Sequence, residues 1–327
     1  MYEPLWSNGT VSVTFFSLAV FAAALIGGAL LLALAGKKRC LENALSLLPL
    51  TLLFGVFFGH FLFAVTRVLI YPLDYENPLA FILNPSVGGF MYLGVFGGAA
   101  LSALVIGRIK KASFADLMKL LLPALLITLA MVRFAEPLDG QGKGPEISGR
   151  FFPISFAPEA DYPDDRYIPV FFYEGVYALL LALFAAKNTL KRSENHRPSM
   201  YYFVLYLAGQ MFFEVYRQDE YVNATSLITF IKLNQLFAVI LLGGYLVYSI
   251  IKSVKNIRRT EIVIRAAVFA ISVGACIGLQ FLFDKPLPFF GQTIWFADWL
   301  VYLLLALSAV GMGWPVISLM NSIPRKG

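Results

Sequence analysis

His60, Arg67, Arg133, Glu136, Asp139, Glu174, Glu214, Arg217 and Lys232 interrupt or end the apolar runs of this chain. A charge inside hydrocarbon is expensive, so such residues face a bundle interior, a wet cavity or one another. Cations grouped with carboxylates in that setting can hold an anion and move a proton. The structural alternative is that Arg67 snorkels to an interface and that Glu214 and Arg217, three apart on one helical face, neutralise each other. A cluster drawn from several helices favours a functional cavity, in which a lone His60 is the weakest member.

The stretch 133–150, RFAEPLDGQGKGPEISGR, sharpens the chemistry, because Gly140, Gly142, Gly144 and Gly149 alternate there with charges. Glycine admits positive φ and lets amide N–H groups approach a ligand. With Arg133 and Lys143 beside it, such a loop could grip an anionic headgroup, phosphate being the obvious anion at a membrane surface. An exposed turn without a ligand is the alternative.

The elements that must position these residues follow from composition. The 327 residues are 59% hydrophobic and 14% charged, with a mean hydropathy of +0.73. This pattern belongs to an all-α polytopic membrane protein and excludes a soluble domain. About nine runs approach the length of a spanning helix: roughly 11–36, 43–70, 88–107, 115–135, 168–186, 200–216, 225–251, 262–283 and 294–320. The leading MYEPLWSNGT lacks a basic region and no small-residue cleavage site follows, so the first run is expected to be an anchor.

The connections alternate in charge. Those holding Lys37, Lys38 and Arg39, then Arg108, Lys110 and Lys111, then Lys187, Lys191, Arg192 and Arg197, then Lys252, Lys255, Arg258 and Arg259, then Arg325 and Lys326 are basic, and the positive-inside rule makes them cytoplasmic. The others carry Glu3, Asp74 and Glu76, the acidic stretch after Glu136, Asp219 and Glu220, and Asp284 with Lys285. The N-terminus is therefore expected outside and the C-terminus inside, and the net charge of +6 is a topology signal, not a nucleic-acid surface. On this topology the polar residues named above, with Asn234 and Gln235, share the outer half of the bilayer. Lys232 is expected inside the seventh span.

Cys40 and Cys276 fall far apart and give no disulfide. No zinc spacing, phosphate loop or dinucleotide fingerprint occurs, so neither a metal nor a cofactor is expected. Gly94, Gly97 and Gly98 of LGVFGGA are expected to let helix backbones approach.

Several segments together resemble the prolipoprotein diacylglyceryl transferase family. VRFAEPLDGQGKG resembles its signature G-R-x-x-N-F-x-N-G-E-x-x-G, after the small-residue helix FMYLGVFGGAALSALVIGR. VFFYEGVYALLLALF, QMFFEVYRQDE and IKLNQLFAVIL resemble its S-Q-L-Y-E, F-R-x-x-x-E-F-F-R-x-P-D and M-G-Q-x-L-S segments in the same order. The resemblance covers about residues 1–252 and leaves 253–327 as a two-helix extension, which could recruit a membrane partner.

It implies a multi-pass enzyme of the bacterial plasma membrane that moves the diacylglyceryl group of phosphatidylglycerol onto the lipobox cysteine of a lipoprotein precursor. Arg133 then matches the phosphate-handling arginine, with Arg217 or Arg67 assisting. Gly140 and Gly144 match signature glycines, while Tyr173, Glu174, Tyr206, Glu214, Arg217 and Gln235 match cavity residues. Family positions differ here: the signature asparagines are Glu136 and Asp139, its glutamate is Gln141, and Leu93, Gln210 and Phe61 stand where a histidine and two arginines are expected. Glu136, Asp139 or His60 would then take the acceptor proton. A lipid-binding or assembly protein that kept this fold without its chemistry is the alternative. A transporter is less favoured, because the polar groups lie on one side and no repeat is present.

Overall fold

The computed structural model describes residues 5–7, 12–70, 77–84, 89–147, 155, 166–191, 200–218, 232–284, 287–289, 292–294 and 298–323. Gly149 and the loop charges Glu3, Asp74, Glu76, Arg192, Arg197, Asp219, Glu220, Lys285, Arg325 and Lys326 lie outside the described residues, as do positions 225–231 of the expected seventh span. Two compact units are distinguished, Met1–Tyr202 and Phe203–Gly327.

The first unit opens with a hairpin of β1 (Trp6–Ser7) and β2 (Ser12–Val13), followed by α1 (Phe15–Lys38), α2 (Leu41–Ile70), the short α3 (Pro78–Leu83), α4 (Tyr92–Lys110) and α5 (Phe114–Ala135). A 3₁₀ turn, Glu136–Asp139, leads to a second hairpin of β3 (Lys143–Glu146) and β4 (Tyr167–Pro169), then α6 (Val170–Leu190). In the second unit are the greater part of α7 (Met200–Tyr216), α8 (Leu233–Ser253), α9 (Arg259–Asp284), the hairpin of β5 (Leu287–Phe289) and β6 (Gln292–Ile294), and α10 (Asp298–Asn321).

The protein is an all-α polytopic membrane protein, with eight described helices long and apolar enough to cross a bilayer: α1, α2, α4, α5, α6, α8, α9 and α10. The sequence led to about nine; the other expected run is α7, described over 17 residues, at the short end of a span. Helix α8 starts at Leu233, later than expected, so Lys232 caps it and does not sit within the span. Local chemistry sets other ends. The Ser17 amide donates to Thr14 Oγ1 at 3.1 Å and the Ser17 hydroxyl answers the Thr14 amide at 2.9 Å, a reciprocal cap for α1.

Helices in lipid gain nothing by hiding leucine from water, so close backbone approach must hold them together. In the first unit α2 and α4 do this with paired glycines. A Cβ at Gly94 would land on the Phe58 carbonyl, and one at Gly98 on the Phe54 carbonyl. Since one step of four up α4 moves four down α2, the helices run antiparallel. Gly55 and Gly59 meet Val95 from the other side. Gly97, grouped with its neighbours by the sequence pattern, instead faces open space.

Helix α5 is the most buried of the spans and lies between α1 and α6. Thr128 Oγ1 donates to the Ala23 carbonyl at 3.3 Å, beside Gly27, while Thr189 Oγ1 donates to the Lys119 carbonyl at 2.9 Å. Lys110 Nζ reaches Glu42 Oε1 at 2.6 Å and Lys38 Nζ reaches the Lys191 carbonyl at 3.3 Å. These contacts gather the basic helix ends at one end of the unit. Arg133 is 19 residues along from Phe114 at the start of α5, about 28 Å away at the helical rise, so it sits at the opposite end. Replacing Gly98 by Leu should lower the melting temperature in detergent, with overpacking costing about 1–3 kcal/mol or more, while Gly97→Ala should leave it within error.

Candidate active site

Arg133 occupies the last turn of α5. Pro137 has no amide hydrogen, so the α-helical pattern gives way to the 3₁₀ turn Glu136–Asp139, which Gly140 ends with φ 69°. That places Glu136 three residues on and on the same side, and Arg133 Nη1 donates to Glu136 Oε1. Glu174 lies in the second turn of α6, and its Oε1 is 2.7 Å from Arg133 Nη2. The guanidinium carbon also sits 5.5 Å from the centre of the Tyr92 ring at the start of α4, within reach of a cation–π interaction. Arg133 is 6% exposed, Glu136 4% and Glu174 0%.

Two glycines make this arrangement sterically feasible. At Gly175 a Cβ would stand 2.6 Å from Phe134 Cε1, so only glycine lets α6 come this close to α5 beside Glu174. At Gly142, with φ +78°, a Cβ would meet Phe171 Cβ at 2.6 Å and Glu136 Oε2 at 2.7 Å. Its carbonyl accepts the Phe171 amide at 3.0 Å, fastening the turn to the start of α6.

From Gly140 to Gly144 the glycine-rich stretch is thus not an open loop. The Gly140 amide donates to the Pro137 carbonyl at 3.2 Å and the Gln141 amide to the Glu136 carbonyl at 3.1 Å, so both serve the turn. Gly144 packs against Ile168 and Val170. Lys143 lies in β3 opposite Pro169, its ammonium 5.3 Å from the Tyr167 ring centre.

Asp139 is exposed and accepts from Gln141 Nε2 at 3.0 Å, apart from the buried trio. Tyr173 is half-buried, edge-on to Phe172 at 5.7 Å. His60 is edge-on to Phe90 at 6.1 Å, and its ring nitrogens make no hydrogen bond among the described residues. Arg67 is in the last turn of α2 and half-buried.

A second polar group belongs to the second unit. Glu214, fully buried on α7, accepts from Asn234 Nδ2 at 2.8 Å. Gln235 Oε1 accepts the Lys232 amide at 3.1 Å, and its Nε2 donates to the Met211 carbonyl at 3.3 Å. Lys232 Nζ donates to the Arg217 carbonyl. Tyr206, Gln210 and Arg217 are all buried. Sequence reasoning singled out neither Tyr92 nor the Asn234–Glu214 bond as part of a site; an aromatic beside Leu93 and an amide beside Gln235 were the only signals available.

A family model described as prolipoprotein diacylglyceryl transferase matches residues 4–251. The chain belongs to this family. Proteins named phosphatidylglycerol–prolipoprotein diacylglyceryl transferase are similar to it along much of their length. The one from Listeria monocytogenes serotype 4b is 28% identical over 221 residues, which is 65% of this chain and 77% of the relative. That of Listeria innocua serovar 6a is 30% identical over the same 221 residues and the same shares. The Clostridium kluyveri protein is 27% identical over 167 residues, 48% of this chain and 65% of the relative.

In this diacylglyceryl transferase family member, Arg133, Glu136, Glu174 and the second polar group all fall inside the matched stretch, whereas α9 and α10 follow it. Removing one partner from a buried ion cluster strands the others. Glu174→Ala should therefore destabilise the protein by about 3–5 kcal/mol, read as a fall in melting temperature in detergent, and Arg133→Met combined with Glu136→Gln and Glu174→Gln should cost less than the single change.

Proposed function

We propose that this chain transfers the diacylglyceryl group of phosphatidylglycerol to the cysteine thiol of a lipoprotein precursor. The supporting observation is the buried guanidinium of Arg133 held between Glu136 and Glu174 at the end of α5 away from the basic helix ends. In the reaction the cysteine sulfur forms a bond to the glyceryl carbon while the carbon–oxygen bond to phosphate breaks, and the leaving glycerol phosphate takes the electron pair. A cation placed on the phosphate oxygens lowers that barrier. Arg133 supplies it, and the incoming phosphodiester displaces a carboxylate from the guanidinium.

Glu136 is the carboxylate we assign to be displaced, because it stands on a short turn while Glu174 is fixed within α6. Freed of its partner, Glu136 accepts the thiol proton, as the nucleophile requires at neutral pH. Asp139 and His60 are less suited, the first being exposed and bound by Gln141, the second lying against Phe90. In the second unit Glu214, Arg217, Asn234 and Gln235 contribute to lipid binding, and residues 253–327 form an extension of the transferase core.

The purified full chain, given phosphatidylglycerol and a lipobox peptide, should yield a thioether-linked diacylglyceryl peptide detected by mass spectrometry. Arg133→Ala should lower the rate about 100-fold or more, and Glu136→Gln should lower it at saturating lipid. A second reading, lipid binding without turnover, draws on Leu93, which is buried and apolar where the family signature has histidine. Lipid that co-purifies unaltered, with no product under conditions that suit an authentic transferase, would favour it.

The same proposal places the protein in the bacterial plasma membrane with the basic helix ends cytoplasmic. Cys40 lies between α1 and α2 at that end, and burial pushes its thiol above the usual range. Cys276 is buried. An impermeant maleimide should label Cys40 in inverted vesicles and spare intact cells. Since the thiolate is the reactive form, labelling should be slow near neutral pH and accelerate as pH rises past the point where a free cysteine already reacts.

A further inference from the structure

Helices α9 and α10 follow the stretch matched by the family model, so what they add to the second unit lies outside that match. Ser272, Cys276 and Gln280 recur at four-residue spacing along one face of α9, and all are buried. Cys276 Sγ lies 3.9 Å from the Met211 carbonyl of α7, the carbonyl that also accepts from Gln235 Nε2 of α8. Gln280 Nε2 donates to Cys276 Sγ at 3.5 Å. One sulfur and one carbonyl therefore tie Gln280 to the group that holds Glu214, Asn234 and Gln235.

The Gln280 side chain is 6% exposed, and its Oε1 accepts no hydrogen bond among the described residues. A buried amide oxygen left so is costly, and an apolar residue would pack on a spanning helix without that cost. Position along the helix is also telling. Gln280 is 21 residues beyond Arg259, about 31 Å at the helical rise, and hence at headgroup depth on the side away from the basic loop.

We propose that Gln280 recognises the lipid headgroup, its Oε1 accepting a hydrogen bond from a headgroup hydroxyl. An amide oxygen needs a donor. The phosphodiester and acyl esters of a phospholipid only accept, which leaves a headgroup hydroxyl or an ammonium. Arg217 and Lys232 lie in the same α7–α8 group, where Glu214 already binds Asn234, so a cationic headgroup is disfavoured and a polyol is preferred. The inference rests on the reading above that the chain takes a lipid with a glycerol headgroup.

Retention of lipid by the full-length protein tests it without turnover. Native mass spectrometry should show phosphatidylglycerol held about five- to tenfold over phosphatidylpropanol, which keeps the phosphodiester but has no headgroup hydroxyl. Gln280→Met should bring the two near parity, and Gln280→Glu, which keeps an acceptor, should restore the preference. Wild-type protein that holds both lipids equally would overturn the proposal whether or not the variants fold, and so would a folded Gln280→Met protein with its preference intact. The two readings separate in the same sample. A hydroxyl preference lost in Gln280→Met but without transferase activity removes the catalytic reading alone, whereas turnover without such a preference removes the role of Gln280 alone.

Discussion

A guanidinium placed in hydrocarbon must be neutralised where it stands, and Arg133 meets that demand with ion pairs to Glu136 and Glu174. Much of the first unit follows from this one requirement. Pro137 and Gly140 turn the chain so that Glu136 returns to the arginine. Gly142 admits Phe171 and the Glu136 carboxylate into the same small space, and Gly175 lets α6 bring Glu174 against α5. Gly140 and Gly142, part of the glycine-rich stretch of the sequence, both shape the turn that carries Glu136. The arginine is thereby kept buried and aligned.

The scaffold around that cluster is held by steric closeness, which is what lipid permits. Gly55, Gly59, Gly94 and Gly98 interlock α2 with α4, and Gly27 meets Thr128 where α1 crosses α5. Because α4 is fixed in this register, Tyr92 places its ring over Arg133 while the adjacent Leu93 is buried in packing. Leu93, where the resemblance led to a histidine, is thus a packing residue beside an aromatic contact from the neighbouring position. Phe61, where an arginine is expected, is more than a third exposed on α2, stacked on Phe57. Gln210 is buried in α7.

In the second unit a helix outside the family match packs against one inside it. Met211 offers its carbonyl both to Gln235, inside the family stretch, and to Cys276, outside it. Ser272 meets the backbone of α10 where Gly311 leaves room, which seats α9 and α10 together. Helices α9 and α10 are consequently part of the packing of α7, through Cys276 at the Met211 carbonyl and Gly313 at Ala208.

The class, the approximate spans and the burial of Arg133, Glu174 and Glu214 on apolar helices were legible in the sequence, because hydropathy and the cost of intramembrane charge act residue by residue. Where α8 begins was not legible. The hydropathy signal runs on without a break at Lys232, whereas the described helix opens at Leu233 behind the Lys232–Gln235 cap. Nor was the division of labour among glycines: Gly97 and Gly98 are identical in sequence terms, and only the rotation of α4 against α2 turns one toward a backbone and the other toward open space. Composition and local pattern determined that this chain is a helical membrane protein carrying costly charges near its helix ends. Which charges meet, and that Glu136 joins Arg133 while Asp139 turns to Gln141, was decided by tertiary structure, since partners from different helices are chosen by packing that no local pattern contains.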